Sequence, residues 1–321
     1  MTPTLSEKTK SHYLVRYRQL HDRFARENNQ ETLSPDELVA YLILLKPTLC
    51  QRTWRAYKSA CLYALELLHG QHEAAIELLR GETSEDLPRT SLATSGTKAK
   101  HVPTAAWNAI KAALNRRARN NHVHAKPLLD FLEATLLTGL RPVEWCNARI
   151  AIHAPSQRQV LRVKNAKHTN GRANGEYREL FIDELSEADR EVIEKTIAHC
   201  QVNEDEVPQL LKALSNEMAI CRDSALVRRY DQSSSVTLYS FRHQFIADAK
   251  ASLDDPVIIS AMVGHSSTKT AFEHYGKKRF GLGRIRVLPT PESIEQVMRV
   301  RLERYKSYVA QRNRVKLQSP F

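Results

Sequence analysis

The chain has 321 residues, which is long enough for two domains that each bury a hydrophobic core. Its 42% hydrophobic and 26% charged residues are typical of a soluble globular protein. No stretch approaches the ~18 consecutive apolar residues of a membrane span, and the amino-terminal segment lacks the apolar core of a secretory signal. We therefore expect a cytoplasmic protein rather than a membrane or exported one.

The net charge of +12 lies mostly near the carboxyl end of the chain. Residues 276–321 carry 12 basic and 3 acidic side chains, so this segment contributes +9. A cluster of cations attracts polyanions such as nucleic acids, because each neutralised phosphate releases a counterion. A solvated tail that aids solubility is the alternative. The candidate contacts to a polyanion are Lys277, Lys278, Arg279, Arg284 and Arg286.

The five cysteines are scattered along the chain, and none forms a C-x-x-C pair. This pattern is typical of reduced thiols in a cytoplasmic protein, most of them buried. Neither a metal site nor any other cofactor is expected.

Residues 1–87 are predicted to form a small helical domain, in which apolar residues between positions 13 and 24 recur at helical spacing. A second helix is expected to begin after Ser34, because Pro35 follows it directly and Glu37 completes the pattern of a capping box. A third helix is predicted over Arg52–His69. Residues 88–103 are rich in Pro, Ser and Thr without an apolar period, which indicates a linker.

Residues 104–290 are predicted to form a second domain, followed by a basic helix and tail over 291–321. A polar turn, Lys167–Glu176, joins its two predicted strands into a hairpin. The last helix carries an apolar stripe that either packs on its own domain or docks on a neighbouring protomer. The expected fold class is mainly α with a small antiparallel β-sheet. The predicted elements are helices from Pro103–Thr104 and over Pro127–Leu137, strands Gln159–Val163 and Tyr177–Ile182, and helices Glu187–Cys200, Val207–Cys221, Tyr239–Ala251, Pro256–Val263 and Glu292–Arg312.

Two arginines stand in positions that suit phosphate chemistry. Arg141 follows the helix-ending Thr138-Gly139 and opens a helical turn, where free backbone N–H groups favour anions. Its guanidinium is a planar fork that matches phosphate oxygens, although an ordinary surface arginine would fit the same pattern. Arg242 lies between two phenylalanines on a mostly apolar helix and therefore needs an anionic partner, for which Glu144 is a structural candidate.

A histidine and a tyrosine follow these arginines along the chain. His265 lies in Gly264-His265-Ser266-Ser267, where an imidazole can bind a phosphate oxygen or only cap a helix. Tyr275 comes ten residues later, before a basic run. A tyrosine hydroxyl can open a phosphodiester and stay attached to it, whereas most lone tyrosines serve packing. Together these four residues suggest covalent phosphotransfer on nucleic acid.

In this order the motifs resemble those of the tyrosine recombinases, the phage-integrase family of site-specific DNA recombinases. Thr138-Gly139-Leu140-Arg141 matches the first arginine box, Arg242 in Tyr-Ser-Phe-Arg-His the second, and Gly264-His265-Ser266-Ser267 the third. Tyr275 falls where the family has its nucleophile. The similarity covers Thr104 to Lys278, and the helical domain before it resembles a core-binding domain. The resemblance implies a C-shaped clamp around double-stranded DNA.

The resemblance also implies a role for each residue. Tyr275 would form a 3′-phosphotyrosyl link, with Arg141 and Arg242 holding the phosphate oxygens and His265 and Tyr239 adding hydrogen bonds. Lys167 on the hairpin is the best match to the family's general acid, and Lys164 is its rival. Glu144 and His243 would contact the catalytic side chains rather than the phosphate itself. We expect a homotetramer on DNA, which would be associated with the nucleoid when bound. An accessory DNA-bending protein is a further candidate partner, and no metal is expected.

Two departures from the family pattern leave alternatives open. Tyr239 replaces the usual histidine of the second box, and it is itself a weaker candidate nucleophile. The spacing from His265 to Tyr275 is one residue longer than usual, which rotates a helix by ~100°. One alternative is a recombinase-like DNA-binding protein whose catalysis is weakened or lost. Another is a helix-turn-helix regulator formed by Asp255 to Tyr275.

Overall fold

The structure is a computed structural model that divides into two units, Met1–Thr97 and Lys98–Phe321. Among the residues it describes, no helix combines the length and the apolar character needed to cross a membrane. It describes Leu5, residues 7–31, 33–67, 72–88, 99–166, His168, 173–223, 236–268, Thr270, Glu273 and 275–318.

The first unit is helical, as the sequence predicts. The cap of its second helix is the expected one: the Ser34 backbone N–H donates to Glu37 Oε2 at 2.8 Å, and the Glu37 N–H donates to Ser34 Oγ at 3.3 Å. The predicted third helix begins one residue early, at Gln51, and ends at Leu67. The helices are α1 Glu7–Glu27, α2 Pro35–Leu45, α3 Gln51–Leu67 and α4 Glu73–Gly81.

Helix α4 is absent from the sequence prediction, because its nine residues offer little more than two helical turns of apolar pattern. It is stabilised by packing, since Ile76 and Leu79 are buried in the core of the unit. This core also buries Leu20, Phe24, Leu38, Leu42, Trp54, Cys61 and Leu65. Of the predicted linker, residues 89–98 lie outside the described residues.

The second unit is mostly helical. Two of its helices have the predicted bounds, whereas α6 starts two residues before Pro127 because proline is tolerated in a first helical turn. The helices are α5 Thr104–Arg119, α6 Ala125–Thr138, α7 Glu187–Cys200, α8 Val207–Asp223, α9 Leu238–Ser252, α10 Pro256–Val263 and α11 Pro291–Gln318, with a 3₁₀ helix over Pro142–Asn147.

The sheet is larger than the single predicted hairpin. Its described strands run antiparallel in the order β1-β2-β3-β4. The added edge strands carry weak local patterns, because β4 has two residues and includes a proline, so they depend on pairing with β2 and β3. The strands are β1 Ala148–His153, β2 Arg158–Lys164, β3 Tyr177–Phe181 and β4 Leu288–Pro289.

Helix α9 runs through the core of the second unit and is buried along nearly its whole length. Gly139 ends α6 in the left-handed region, at φ 68°. A Cβ at this position would lie 2.1 Å from the Phe245 ring, so only glycine allows α6 and α9 to approach so closely. This contact brings the turn that carries Arg141 beside the helix that carries Arg242.

The apolar stripe of α11 is only partly packed on its own unit. Val297 is 1% exposed, whereas Met298 and Leu302 are 57% and 53% exposed. Of the other stripe residues, Ile294 is partly buried, and the side chains of Tyr305, Tyr308 and Val309 lie outside the described part of the structure.

Candidate active site

The centre of the candidate site is a buried carboxylate, Glu144, in the 3₁₀ helix Pro142–Asn147. Glu144 Oε1 accepts from Arg141 Nη1 at 2.5 Å, and Oε2 accepts from Arg178 Nη2 at 2.8 Å. Arg242 Nη1 lies 3.7 Å from the same Oε2. Burial alone would raise the pKa of Glu144, but the three arginines outweigh it and hold that pKa well below its usual range.

This cluster carries excess positive charge in a buried place. Arg141, Arg178 and Arg242 are at most 3% exposed, and among the described ion pairs Glu144 is the only carboxylate that they contact. Three guanidinium groups and one carboxylate leave a net charge of +2. Because uncompensated buried charge is unfavourable, the cluster favours an anionic ligand.

Arg242 ties three segments together. Its Nη1 donates to the Gly139 carbonyl at 2.5 Å, and its Nη2 donates to the Val263 carbonyl at 2.8 Å. The ends of α6 and α10 are thereby fixed against α9. Its Nε is buried and has no hydrogen-bond partner among the described residues. An orphaned donor of this kind is uncommon in a folded protein and suits a ligand that accepts hydrogen bonds.

The tautomer of His265 follows from its contact with Arg242. Arg242 Nη2 lies 3.2 Å from His265 Nε2, and a guanidinium can only donate, so Nε2 must accept. Burial, followed by Arg242, Arg141 and Arg178, lowers the pKa of His265 well below its usual value. The neutral ring therefore carries its proton on Nδ1, which is buried and has no partner among the described residues. His265 can donate one hydrogen bond to an anion.

Tyr275 lies beside this cluster. Its ring centroid is 4.9 Å from that of His265 and 4.7 Å from that of His243. The Arg242 guanidinium carbon lies 5.4 Å from the same centroid. The ring is half-buried, and the next carbonyl, that of Gly276, accepts from Lys250 Nζ at 2.7 Å. The structure thus brings Tyr275 together with Arg242 and His265 despite the longer spacing.

Tyr239 and His243 lie one turn apart on α9. Their ring centroids are 6.2 Å apart, and the His243 centroid lies 4.7 Å from that of Tyr275. Burial raises the pKa of the Tyr239 hydroxyl, although Arg242 opposes this. A phenol that is harder to ionise is the weaker nucleophile, so this position suits hydrogen bonding better than attack.

Of the two candidate general acids, Lys167 lies outside the described residues. Lys164 is the last residue of β2, where its Nζ lies 3.7 Å from Glu176 Oε1 and its side chain is 38% exposed. The base of the hairpin reaches the arginine cluster, because the Ala166 N–H donates to Glu144 Oε1 at 3.3 Å.

Sequence reasoning missed Arg178. It lies on β3 and is 1% exposed, with its guanidinium bonded to Glu144. A signal was present in the strand pattern: Arg178 and Leu180 are two residues apart, so they lie on the same face of β3. An arginine in phase with buried apolar positions predicts a buried charge that needs a partner.

The basic residues that follow Tyr275 lie on the surface. Lys277, Arg279 and Arg284 are exposed, and Lys278 Nζ lies 3.3 Å from an Asp254 carboxylate oxygen. Arg286 pairs with Asp189 at 2.8 Å. These side chains can reach a polyanion without burying a charge.

Three of the five cysteines, Cys61, Cys200 and Cys221, are buried. Within the described part of the chain, no group of three or more His, Cys, Asp or Glu residues is arranged to hold a metal ion.

Comparison with known proteins places this chain near two solved recombinases. One is the XerH site-specific recombinase bound to palindromic difH substrate in a post-cleavage complex, at 14% identity and a TM-score of 0.45, covering 82% of this chain and 74% of XerH. The other is the XerA recombinase, at 12% identity and a TM-score of 0.35, covering 89% and 96%. No family model matches the sequence, and no curated protein matches it.

The fold class expected from the sequence, mainly helical with a small antiparallel sheet, is confirmed. Both of these solved structures are described as recombinases.

Proposed function

We propose that this protein is a site-specific DNA recombinase that breaks and rejoins strands through a 3′-phosphotyrosyl link at Tyr275. The observation that carries the proposal is the buried Arg141–Glu144–Arg242 cluster with the Tyr275 ring 5.4 Å from the Arg242 guanidinium carbon. A phosphodiester is an anion to which Arg141 and the Nε–H of Arg242 can donate hydrogen bonds, beside a phenol that can attack it.

The reaction conserves protons and bonds. The Tyr275 hydroxyl gives its proton to solvent water as its oxygen bonds to phosphorus, and the bond from phosphorus to the 5′-oxygen breaks. That oxygen takes a proton from the hairpin lysine, for which Lys167 is the first candidate and Lys164 the second, and leaves as a 5′-hydroxyl. A 5′-hydroxyl from another strand then reverses these steps and joins the new strand. Because the covalent link conserves the bond energy, neither ATP nor a metal is required.

The charges of the cluster suit the transition state better than the ground state. A phosphodiester carries one negative charge, and the five-coordinate phosphorus carries close to two, which matches the net +2 of the cluster. His265 adds a neutral Nδ1–H donor to one oxygen, and the Tyr239 hydroxyl adds another. Preorganised donors that meet developing charge are the largest source of such catalysis.

The remaining parts of the chain supply binding. Residues 1–87 act as a core-binding domain joined by the linker 88–103 to the catalytic domain 104–290, and Lys277, Lys278, Arg279, Arg284 and Arg286 contact DNA phosphates. The helix and tail over 291–321 link protomers into a tetramer on two DNA sites. The exposed Met298 and Leu302 of α11 support this role, since they leave apolar surface for a neighbour.

A DNA-binding relative without strand transfer is the second candidate, because Tyr239 stands where the family has a histidine. A phenol can donate a hydrogen bond to phosphate but cannot carry the positive charge of an imidazolium. This candidate predicts DNA binding with no covalent adduct. A helix-turn-helix regulator would leave the buried arginine cluster without a purpose.

The test is covalent capture on suicide duplexes. Labelled duplexes with a randomised centre and staggered nicks are incubated with the full-length protein, and attached DNA is recovered after denaturation with detergent. The wild-type protein is expected to become attached to a defined sequence, whereas Tyr275→Phe forms no adduct. Tyr239→Phe is the matched control, which we expect to form the adduct about tenfold more slowly because it loses one hydrogen bond. DNA binding without an adduct by the wild-type protein would favour the second candidate.

A further inference from the structure

Arg178 makes more contacts than a charge partner for Glu144 requires. Besides Glu144, its Nε donates to the Met262 carbonyl at 2.9 Å, and its Nη1 donates to the Asn165 side chain. These partners belong to three separate segments of the chain. We propose that Arg178 is a positioning residue that holds the base of the β2–β3 hairpin, and with it the proton donor, against the phosphate-binding arginines. This inference rests on the proposed function.

Asn165 lies at the base of the hairpin. Asn165, whose Oδ1 accepts from Arg178, donates through Nδ2 to Gly175 O at 2.9 Å and to Asn174 Oδ1 at 3.1 Å. Its backbone N–H donates to Glu176 O at 2.8 Å. Asn165 therefore closes the two sides of the hairpin and attaches them to Arg178. Both candidate proton donors adjoin this point in the chain, Lys164 directly before Asn165 and Lys167 two residues after it.

The turn that carries His265 includes Gly264. Gly264 adopts φ 66°, and a Cβ there would lie 2.3 Å from Asn165 Oδ1 and 2.9 Å from Arg178 Nη1. The turn is therefore packed directly on the Asn165–Arg178 pair. Since Met262 also accepts from Arg178, the position of the His265 turn and that of the hairpin depend on the same guanidinium.

Lysine would balance the charge of Glu144, but its three N–H donors sit on one nitrogen. The carbonyl, the amide oxygen and the carboxylate are instead met by three different nitrogens of Arg178, Nε, Nη1 and Nη2. Replacing Arg178 by lysine would keep the charge and lose this simultaneous hold. The consequence should be a misplaced proton donor, while Arg141 and Arg242 keep their own bonds to Glu144 and Gly139.

A change of leaving group separates this role from a general structural one. An oxygen leaving group needs a proton as the bond to phosphorus breaks, whereas a sulfur leaving group departs as a thiolate, whose conjugate acid has a pKa of about 8.5. A substrate with sulfur in place of the bridging 5′-oxygen therefore does not depend on the general acid. Defects in nucleophile or phosphate binding persist on both substrates.

The experiment measures the rate of adduct formation on oxygen and sulfur versions of the captured DNA site. We expect Arg178→Lys to slow the oxygen reaction about 100-fold, within the range of lost general-acid catalysis, and to react within about fivefold of wild type on the sulfur substrate. Lys167→Ala and Lys164→Ala are measured on both substrates. The variant that is rescued by sulfur identifies the proton donor, and Arg178→Lys is compared with its rates. Arg162→Lys, on the neighbouring strand and paired with Glu179, is the matched control.

An equal loss on both substrates would overturn the proposal, and so would an oxygen rate within threefold of wild type. If Arg178→Lys fails to fold, Asn165→Ala carries the same comparison, because it removes the link between Arg178 and the hairpin. Failure of the proposed function has a different appearance: the wild-type protein would form no adduct on either substrate.

Discussion

Two positively charged regions of the second unit follow opposite physical rules. The arginine cluster around Glu144 is buried. The guanidinium groups of Arg178 and Arg242 each have several hydrogen-bond partners, and that of Arg141 is paired with Glu144. The surface segment from Lys277 to Arg286 is exposed, and its described ion pairs, such as Lys278 with Asp254, lie at the protein surface. In the buried cluster the guanidinium groups are held in fixed positions. In the surface segment the positive charges are not held in fixed positions.

This difference indicates that the buried cluster affects the chemical step and that the surface segment affects DNA affinity. In a dry environment a fixed guanidinium interacts strongly with a reacting phosphate, so a change in its shape should alter the chemical step. On the surface, where water and salt screen each charge, loss of a cation should alter affinity and its salt dependence instead. Each of the following experiments compares the two regions through one of these properties.

The largest effect is expected for Arg242→Lys, which keeps the buried charge but loses the planar guanidinium group. A single ammonium cannot contact the Gly139 and Val263 carbonyls, His265 and a phosphate oxygen at once. We expect the single-turnover rate of adduct formation to fall at least about 100-fold. The matched control is Arg149→Lys, at an exposed position on β1, and thermal unfolding checks that both variants are folded. A rate for Arg242→Lys within threefold of wild type would mean that the geometry of the buried charge is unimportant.

A smaller effect is expected when three surface cations are neutralised together, as in Lys277→Gln, Arg279→Gln and Arg284→Gln. If each contacts a phosphate, the slope of log K for DNA binding against log salt should become shallower by about 2 to 3. The measurement is a salt titration of binding to a labelled duplex.

A second triple variant loses the same charge elsewhere on the unit, at the exposed Lys111, Lys195 and Lys212. Its slope should change by less than about 1. Equal changes in the two triple variants would show that net charge, rather than contact by the basic segment, governs affinity.

The smallest effect concerns the pH dependence of stability. The pKa of His265 is lowered by burial and by the arginines, so below about pH 6.5 the unfolded chain binds a proton that the folded protein does not. The folded state should therefore lose stability as the pH falls. Between pH 7 and 5.5 we expect His265 to account for about 1 kcal/mol of this loss. Denaturant unfolding of wild type and His265→Asn at both pH values measures it, and identical pH dependence of the two would contradict the assigned environment.

Local signals predicted much of the fold. Two helix starts, the capping box at Ser34 and Glu37 and the start of α10 at Pro256, depend only on residues that are close in sequence. They could therefore be recognised without tertiary information. Strands β1 and β4 could not, because their stability comes from neighbours that are distant in sequence. Helix α4 was missed for a similar reason.

The site shows the same division. Arg141, Arg242, His265 and Tyr275 could be proposed as site residues from the sequence because they stand in short motifs of fixed order. Arg178 stands in no motif, and its role depends on three segments that only folding brings together. The tautomer of His265 likewise follows from a contact with Arg242 that no sequence pattern encodes.

The most direct test of the central claim is identification of the residue that becomes attached to DNA. The adduct captured on a suicide duplex is trimmed with nuclease, digested with protease and sequenced by mass spectrometry. We predict a nucleotide joined through a 3′-phosphate to the peptide that contains Tyr275, together with a free 5′-hydroxyl on the released strand. Attachment to Tyr239, or a 5′-phosphate link, would contradict the account.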